Sequence, residues 1–167
     1  MTPEFHRPLA VEAVGPGGLA REVVADAGER AALATRLQLP GVAASSCRFQ
    51  LSREGRDGEV VVASGRLAAR VQQVCVVSLD VFEADIDEAF RVRFVPEGTQ
   101  EEDGDPESDD ELPYSGAVID LGEAAAEQLA LALDPYPRKP GAALPEEEPA
   151  TAAIHPFAAL AARRTRG

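Results

Sequence analysis

Residues 45–53 read SSCRFQLSR, and this stretch decides the fold class. Its apolar residues Cys47, Phe49 and Leu51 alternate with polar ones. That two-residue period is typical of a strand buried on one face only. Residues 54–63 then combine a strong turn signal, EGRDG, with the start of a partner strand. The stretch therefore predicts a β-hairpin.

Further strands are predicted along the chain, without helices between them. Residues 70–79 are almost continuously apolar, and residues 88–95 alternate again until Pro96. Asp85 and Asp87, between these two runs, are expected in a solvated turn. Successive strands this close together favour an antiparallel meander.

Two helices are predicted, and each begins at an aspartate. Asp26 with Glu29, and Asp120 with Glu123, have the spacing of a capping box, in which the side chains satisfy free backbone amides. The second helix carries an apolar stripe and ends before Pro135, because the residue preceding a proline is disfavoured in the α conformation. Two short strands are expected before the first helix.

These elements predict one α+β domain over residues 5–143. Its centre is an antiparallel sheet that could curl toward a small barrel, with two helices packed on it. Residues 97–111 contain nine acidic residues and no basic one, which predicts a flexible, solvated acidic loop. Residues 144–167 are interpreted as a linker followed by a short amphipathic tail.

The composition favours a cytoplasmic binding protein. The formal net charge is −13, so charge alone predicts a basic protein partner, or none, before it predicts RNA. The two cysteines, Cys47 and Cys75, lie in apolar runs, unlike the cysteine framework of a small secreted domain. No apolar leader and no run of about 18 apolar residues is present, so we expect no export signal and no membrane span.

Residues 135–141, PYPRKPG, form the candidate site. Their prolines hold the backbone extended, close to polyproline II, and display Tyr136, Arg138 and Lys139 on a stiff support. An aromatic ring beside two cations could bind phosphate, a base face or an acidic protein surface. The alternative interpretation is a proline-rich helix stop with solvated charges.

Residues 120–122, DLG, and 127–141, EQLALALDPYPRKPG, resemble the carboxy-terminal signature of the YceD family of large ribosomal RNA subunit accumulation proteins, in its alphaproteobacterial form. Residues 5–9, 65–79 and 155–160 support the likeness, and the PYPRKPG box is its most specific part. The resemblance implies a role in the accumulation of 23S ribosomal RNA during large-subunit assembly. It implies no catalytic residue and no cofactor.

One departure from the family concerns metal binding. Many relatives carry a Cys-x-x-Cys pair where this chain has Cys75-Val-Val-Ser78. Cys47 is the only other thiol, so four cysteines cannot be assembled around zinc. We therefore predict no metal and a small, buried Cys75. A cysteine-dependent hydrolase or redox enzyme is the alternative from another class, and it would need an accessible thiolate beside a base.

Two binding mechanisms are compatible with the resemblance. In the first, the chain contacts large-subunit ribosomal RNA through the PYPRKPG box and through arginines of the strands and tail. In the second, the acidic body carries a basic ribosomal protein without contacting RNA; neither mechanism involves a membrane or a small-molecule substrate. Net charge favours the second mechanism and the box favours the first. The predicted partner-binding residues are Tyr136, Arg138, Lys139, Pro135, Pro137, Arg91, Arg93, Arg66 and Arg70, with Arg163, Arg164 and Arg166 added from the tail.

Overall fold

The fold is built on a five-stranded sheet. The computed structural model describes residues 3–99 and 108–144, so nearly all of the predicted linker and tail lies outside the described residues. In chain order the elements are β1 (Pro8–Ala10), a 3-10 turn (Val11–Ala13), β2 (Leu19–Val24), α1 (Ala27–Arg36), β3 (Gly41–Glu54), β4 (Val60–Val74), β5 (Val81–Pro96), β6 (Asp110–Tyr114), β7 (Val118–Asp120) and α2 (Leu121–Ala132). The sheet order is β2–β3–β4–β5–β6, and a separate two-stranded sheet pairs β1 with β7. The α+β class is confirmed.

Strands β3 to β5 form the predicted antiparallel meander, and β2, which precedes α1 in the chain, adds an antiparallel strand beside β3. The alternating residues 45–53 lie within β3, and the predicted turn after them joins β3 to β4. Phe49 of β3 lies opposite Gly65 of β4, which lies opposite Phe90 of β5. The rings of Phe49 and Phe90 meet edge to face, with centroids 5.8 Å apart. Gly65 is required between them, because a Cβ there would lie 2.2 Å from Cζ of Phe90.

Strand β6 departs from the predicted antiparallel order. It pairs with β5 in parallel, with Val92 opposite Asp110 and Pro96 opposite Tyr114. A parallel pair needs a connection of about a dozen residues or more, which residues 97–109 provide. Among the described residues the sheet ends at β2 on one side and at β6 on the other, so it is open and does not close into a barrel.

The predicted acidic loop, residues 97–111, is shorter at its carboxyl end than the sequence indicates. Its last two residues, Asp110 and Glu111, belong to β6, where Glu111 lies opposite Arg93 of β5. A cross-strand pair of opposite charges favours strand pairing here over a solvated loop. Residues 100–107 lie outside the described residues.

The turn between β4 and β5 lies earlier than the sequence predicts. The apolar run 70–79 is not one strand, because β4 ends at Val74 and β5 begins at Val81. Asp85 and Asp87, expected in a turn, are residues of β5. Hydrophobicity alone could not locate this reversal, since the apolar run continues through it.

Both predicted helix starts are confirmed, although only the first has a complete capping box. The Oδ1 of Asp26 accepts a hydrogen bond from the backbone amide of Glu29 at 2.9 Å, and the Glu29 carboxylate accepts one from the Asp26 amide at 2.8 Å. Asp120 caps α2 by accepting from the amides of Gly122 and Glu123. The Glu123 carboxylate turns away and binds Arg36 of α1 at 2.7 Å, so it joins the two helices.

The first turn of α2 lies directly against the amino-terminal segment. A Cβ on Gly122 would lie 2.3 Å from the carbonyl oxygen of Phe5 and 3.0 Å from the amide nitrogen of Arg7. The Arg7 amide donates to Oδ1 of Asp120 at 2.8 Å, and the Leu121 amide donates to the Arg7 carbonyl at 3.1 Å. The glycine of the DLG motif is therefore needed for close backbone approach.

The core lies between the two helices and one face of the sheet. Leu33 of α1 and Leu129 of α2 are fully buried in the same cluster as Phe49, Leu67 and Val71 of the sheet. Most of the alternate residues of β3 and β4 are exposed, so most of the other face of the sheet meets solvent. We call it the solvent face.

Candidate binding surface

The chain leaves α2 through a hydrogen-bonded turn. The Oδ1 of Asp134 accepts a hydrogen bond from the backbone amide of Tyr136 at 2.9 Å. The Asp134 carbonyl accepts one from Nε2 of Gln73, a buried side chain of β4, at 3.3 Å. These two bonds fix the start of the following proline-rich segment relative to the sheet.

Residues 135–141, which we call the strut, lie against the turn between β4 and β5. The carbonyl of Pro137 accepts a hydrogen bond from the amide of Val76 at 2.9 Å. The amide of Lys139 donates to Sγ of Cys75 at 3.3 Å. The strut is therefore attached to the turn along its length as well as stiffened by its prolines.

Residues 75–80, which we call the hairpin turn, hold a leucine in an unfavourable backbone conformation. The Cys75 amide donates to the Asp80 carbonyl at 2.8 Å, and the Leu79 amide donates to the Cys75 carbonyl at 2.9 Å. Leu79 has a φ of 62°. This left-handed conformation costs a residue with a Cβ about 1–2 kcal/mol. The Leu79 side chain is 76% exposed, so local packing does not account for it.

Cys75 joins the hairpin turn to the strut. The residue is fully buried, and its Sγ accepts hydrogen bonds from the amides of Ser78 at 3.4 Å and Lys139 at 3.3 Å. Hydrogen bonds from Ser78, first from its side chain and then from its amide, lower the pKa of Cys75 to about 6, although burial acts in the opposite direction. The expectation of a small, buried cysteine is confirmed, and its sulfur is a hydrogen-bond acceptor at the base of the candidate site.

The geometry around the cysteines does not match the requirements of a cysteine-dependent enzyme. Such an enzyme needs an accessible thiolate beside a base, and both Cys75 and Cys47 are fully buried. Burial also raises the pKa of Cys47 to about 12. The described histidine, His6, binds the carboxylate of Asp120 at the other end of α2. Over residues 3–99 and 108–144, no group of three or more His, Cys, Asp and Glu side chains could hold a metal ion.

The strut displays the aromatic residue and one of the two cations that the sequence predicts. Tyr136 is 72% exposed, and Arg138 and Pro135 are also exposed, whereas Pro137 is half-buried against the hairpin turn. Within the described part of the chain, Arg138 makes no ion pair. Tyr136 and Arg138 are therefore available to a partner.

Lys139 is less available than the sequence suggests. Its Nζ lies 3.3 Å from Oδ2 of Asp80, at the end of the hairpin turn, and both side chains are about half exposed. The ion pair adds a third attachment of the strut to the turn. It also neutralises one of the two strut cations.

The four arginines that the sequence predicts as strand contacts lie on the solvent face, but each is paired with a carboxylate. The cross-strand register of β4 and β5 places them on that one face. An RNA phosphate that approached any of them would meet the neighbouring carboxylate as well. The pairs are Arg66 Nε–Asp87 Oδ1 at 2.8 Å, Arg70 Nε–Asp85 Oδ1 at 2.7 Å, Arg91 Nε–Asp109 Oδ2 at 3.0 Å and Arg93 Nη1–Glu111 Oε1 at 3.5 Å.

The sequence reasoning missed a group of exposed apolar residues beside the strut. Val74 and Val81 lie directly opposite each other at the end of the β4–β5 ladder and are 42% and 56% exposed. Val76 and Leu79, in the hairpin turn, are 47% and 76% exposed. We call these four residues, together with Tyr136, the apolar patch. The only sequence signal was an apolar run without alternation, which a buried strand would also show.

The tail arginines Arg163, Arg164 and Arg166 lie outside the described residues. Across residues 3–99 and 108–144, no helix combines the length and the apolar character needed to cross a lipid bilayer.

The sequence model of one protein family matches the part of this chain that contains the strut. The family is described as Large ribosomal RNA subunit accumulation protein YceD, and the match covers residues 63–162, more than half of the chain. It includes most of β4, the hairpin turn, α2 and the strut. Comparisons with curated proteins and with solved structures gave no significant match. The chain therefore belongs to the YceD family of large ribosomal RNA subunit accumulation proteins.

Proposed function

We propose that this protein promotes the accumulation of 23S ribosomal RNA in the cytoplasm by binding a basic protein of the large subunit. In this proposal it carries or places that protein during assembly and does not contact the RNA through its own arginines. Membership of the YceD family supports the role in large-subunit accumulation. The choice of a protein partner rests on the charges of the described residues. The proposed role is binding, and we assign no reaction and no cofactor to it.

The observation that carries the proposal is the pairing of the arginines on the solvent face. Proteins that bind RNA nonspecifically use unpaired lysines and arginines, which displace counterions from the phosphates. Here Arg66, Arg70, Arg91 and Arg93 each face a carboxylate. The whole chain carries a net charge of −13. A protein with this charge attracts basic partners over a long range and repels nucleic acid.

Direct contact with ribosomal RNA is a second candidate, favoured by the strut. Exposed Tyr136 could stack on a base, and Arg138, which has no ion pair among the described residues, could approach a phosphate. Stacking of one base on an aromatic side chain contributes about 1–3 kcal/mol. Because the strut offers one ring and, as far as the described residues show, one cation without an ion pair, we expect such contact to be weak without additional cations.

Equilibrium binding of the full chain would separate these candidates. The probes are naked 23S ribosomal RNA and the purified proteins of the large subunit, each tested individually at about 50 mM and about 200 mM salt. We expect at least one basic ribosomal protein to bind, and RNA to bind weakly even at the lower salt concentration.

The contribution of the strut cation is tested by Arg138→Ala. The matched control is Arg56→Ala, which removes an exposed arginine from the turn at the opposite end of β4. Tight RNA binding at low salt that is lost in Arg138→Ala, but retained in Arg56→Ala, would favour direct RNA contact and contradict the proposal.

A further inference from the structure

The exposed apolar residues of this protein are concentrated at one place. Isolated exposed apolar side chains are common on soluble proteins, whereas contiguous ones mark interaction sites. Nine large apolar side chains are prominently exposed among the described residues, and five of them form the apolar patch. The other four are Val24 of β2, Val118 of β7, Leu131 of α2 and Leu144 after the strut.

The patch is held in a fixed arrangement before any partner arrives. Val74 and Val81 belong to the last rung of the β4–β5 ladder. Val76 donates its amide to Pro137 of the strut, and that bond places Tyr136 beside the turn. A surface whose backbone is already positioned loses less conformational entropy on binding. The patch therefore has the preorganisation of a binding surface.

The left-handed backbone conformation of Leu79 lowers the stability of the fold. Its φ of 62° is a conformation that glycine or asparagine adopts more readily, and its side chain gains little from burial because it is 76% exposed. Strained residues of this kind are concentrated at functional sites. An interaction partner that buries the Leu79 side chain would account for both observations.

The charges around the patch indicate the chemistry of that partner. Glu83 lies one rung along the solvent face from Val81 and is exposed, as is Asp134 at the start of the strut. Asp80 is paired with Lys139, and Arg138 is an exposed strut cation with no ion pair among the described residues, so Glu83 and Asp134 outnumber it by two to one. An apolar surface next to exposed carboxylates is complementary to a peptide segment that carries apolar and basic side chains together.

We propose that the apolar patch is the docking site for a lysine- or arginine-rich segment of a large-subunit ribosomal protein. An apolar side chain of that segment packs on Leu79 and Tyr136, and its basic side chains face Glu83 and Asp134. Tyrosine is enriched among the residues that dominate protein interfaces, and the patch contains one. This inference rests on the proposed function and adds the location and chemistry of its binding site.

The test uses the full chain and the purified individual proteins of the large subunit. Leu79→Asn with Tyr136→Ser removes both apolar groups, and asparagine tolerates the positive φ at position 79. The control is Leu131→Asn, since Leu131 is 70% exposed on α2 outside the patch. For the ribosomal protein that binds the wild type, we expect the double variant to lose at least about tenfold in affinity and the control to change less than about twofold. Circular dichroism and urea unfolding confirm that each variant is folded.

The outcomes separate the docking site from the proposed function. If the wild type binds a ribosomal protein and the folded double variant binds it equally well, the docking site is wrong while the proposed function stands. If the wild type binds none of these proteins and binds naked 23S ribosomal RNA instead, the proposed function itself is wrong. If the double variant loses RNA affinity selectively, the occupant of the patch is RNA and the docking proposal is overturned.

Discussion

The two glycines at the starts of the helices provide a matched test of the packing at α2. Gly28 and Gly122 each lie two residues after the capping aspartate of their helix. Replacing glycine by alanine within a helix normally stabilises it by up to about 1 kcal/mol. A Cβ on Gly28 would meet only Oδ1 of Asp26, at 3.4 Å. A Cβ on Gly122 would lie 2.3 Å from the carbonyl oxygen of Phe5. The two substitutions should therefore have opposite effects.

The expected loss of stability in Gly122→Ala follows from the backbone that must move to make room for the Cβ. Overpacking a well-packed site costs about 1–3 kcal/mol, and here the obstacle is backbone, which cannot rotate away. Shifting the amino-terminal segment would also strain two hydrogen bonds, from Arg7 to Asp120 and from Leu121 to Arg7, worth about 1 kcal/mol each. After the gain in helix propensity, we expect Gly122→Ala to lower the free energy of unfolding by about 2–4 kcal/mol. Gly28→Ala should leave it unchanged or raise it by up to about 1 kcal/mol.

Urea unfolding followed by far-ultraviolet circular dichroism measures both effects on the full chain. The comparison requires similar dependence of the unfolding free energy on urea concentration, so that midpoints report stability. If Gly122→Ala proved as stable as Gly28→Ala, the close approach of Phe5 to the start of α2 would be refuted. The structural reason given for the DLG motif would then be wrong.

Three further substitutions test the candidate site and the sheet. The pKa of Cys75 falls from an ordinary value of 9.0 to about 6 on folding. The wild type should therefore gain stability relative to Cys75→Ala as pH rises from about 6 to about 9, and lose that gain as pH falls through about 6. Urea midpoints with the same pH profile for both proteins would contradict this. Leu79→Gly should raise the free energy of unfolding by up to about 1 kcal/mol in the same assay, because it relieves the strain of the left-handed backbone conformation. A loss of stability would show instead that the Leu79 side chain makes stabilising contacts. Gly65→Ala should lower the free energy of unfolding by about 1–3 kcal/mol, since its Cβ would displace the ring of Phe90; an unchanged midpoint would mean that the ring moves freely.

The local features of the fold could be predicted from the sequence. Alternation in residues 45–53 reports directly on one buried face, and the chain between Glu54 and Val60 is unmistakably a turn. The aspartates Asp26 and Asp120 cap their helices as predicted, because capping depends on residues only two or three positions away. These features depend on interactions between residues close together in the chain, so the sequence alone is sufficient to predict them.

Features set by long-range pairing could not be predicted in the same way. The parallel pairing of β6 depends on how the chain returns after Pro96, and no local pattern reports that direction. The position of the hairpin turn could not be predicted, because an apolar run has the pattern of a buried strand even where its residues are exposed. Only the ladder register, with Val74 opposite Val81, shows where β4 ends.

The candidate site was predicted in part. Three prolines in seven residues were sufficient to predict that Tyr136 and Arg138 are displayed, and both are exposed. The pairing of Lys139 with Asp80 brings together side chains that are far apart in sequence. The carboxylate partners of the strand arginines likewise depend on cross-strand register. Which of these cations have a carboxylate partner among the described residues could therefore be read only from the structure.

Crosslinking from the strut in growing cells tests the choice of partner most directly. The photoreactive residue p-benzoylphenylalanine would replace Tyr136 in the full chain, and a control chain would carry it in place of Leu131 on α2. We expect light-dependent crosslinks from position 136 to a basic protein of the large ribosomal subunit, with few from position 131. Crosslinks from position 136 to 23S ribosomal RNA, without a protein product, would contradict the binding of a protein partner at the strut.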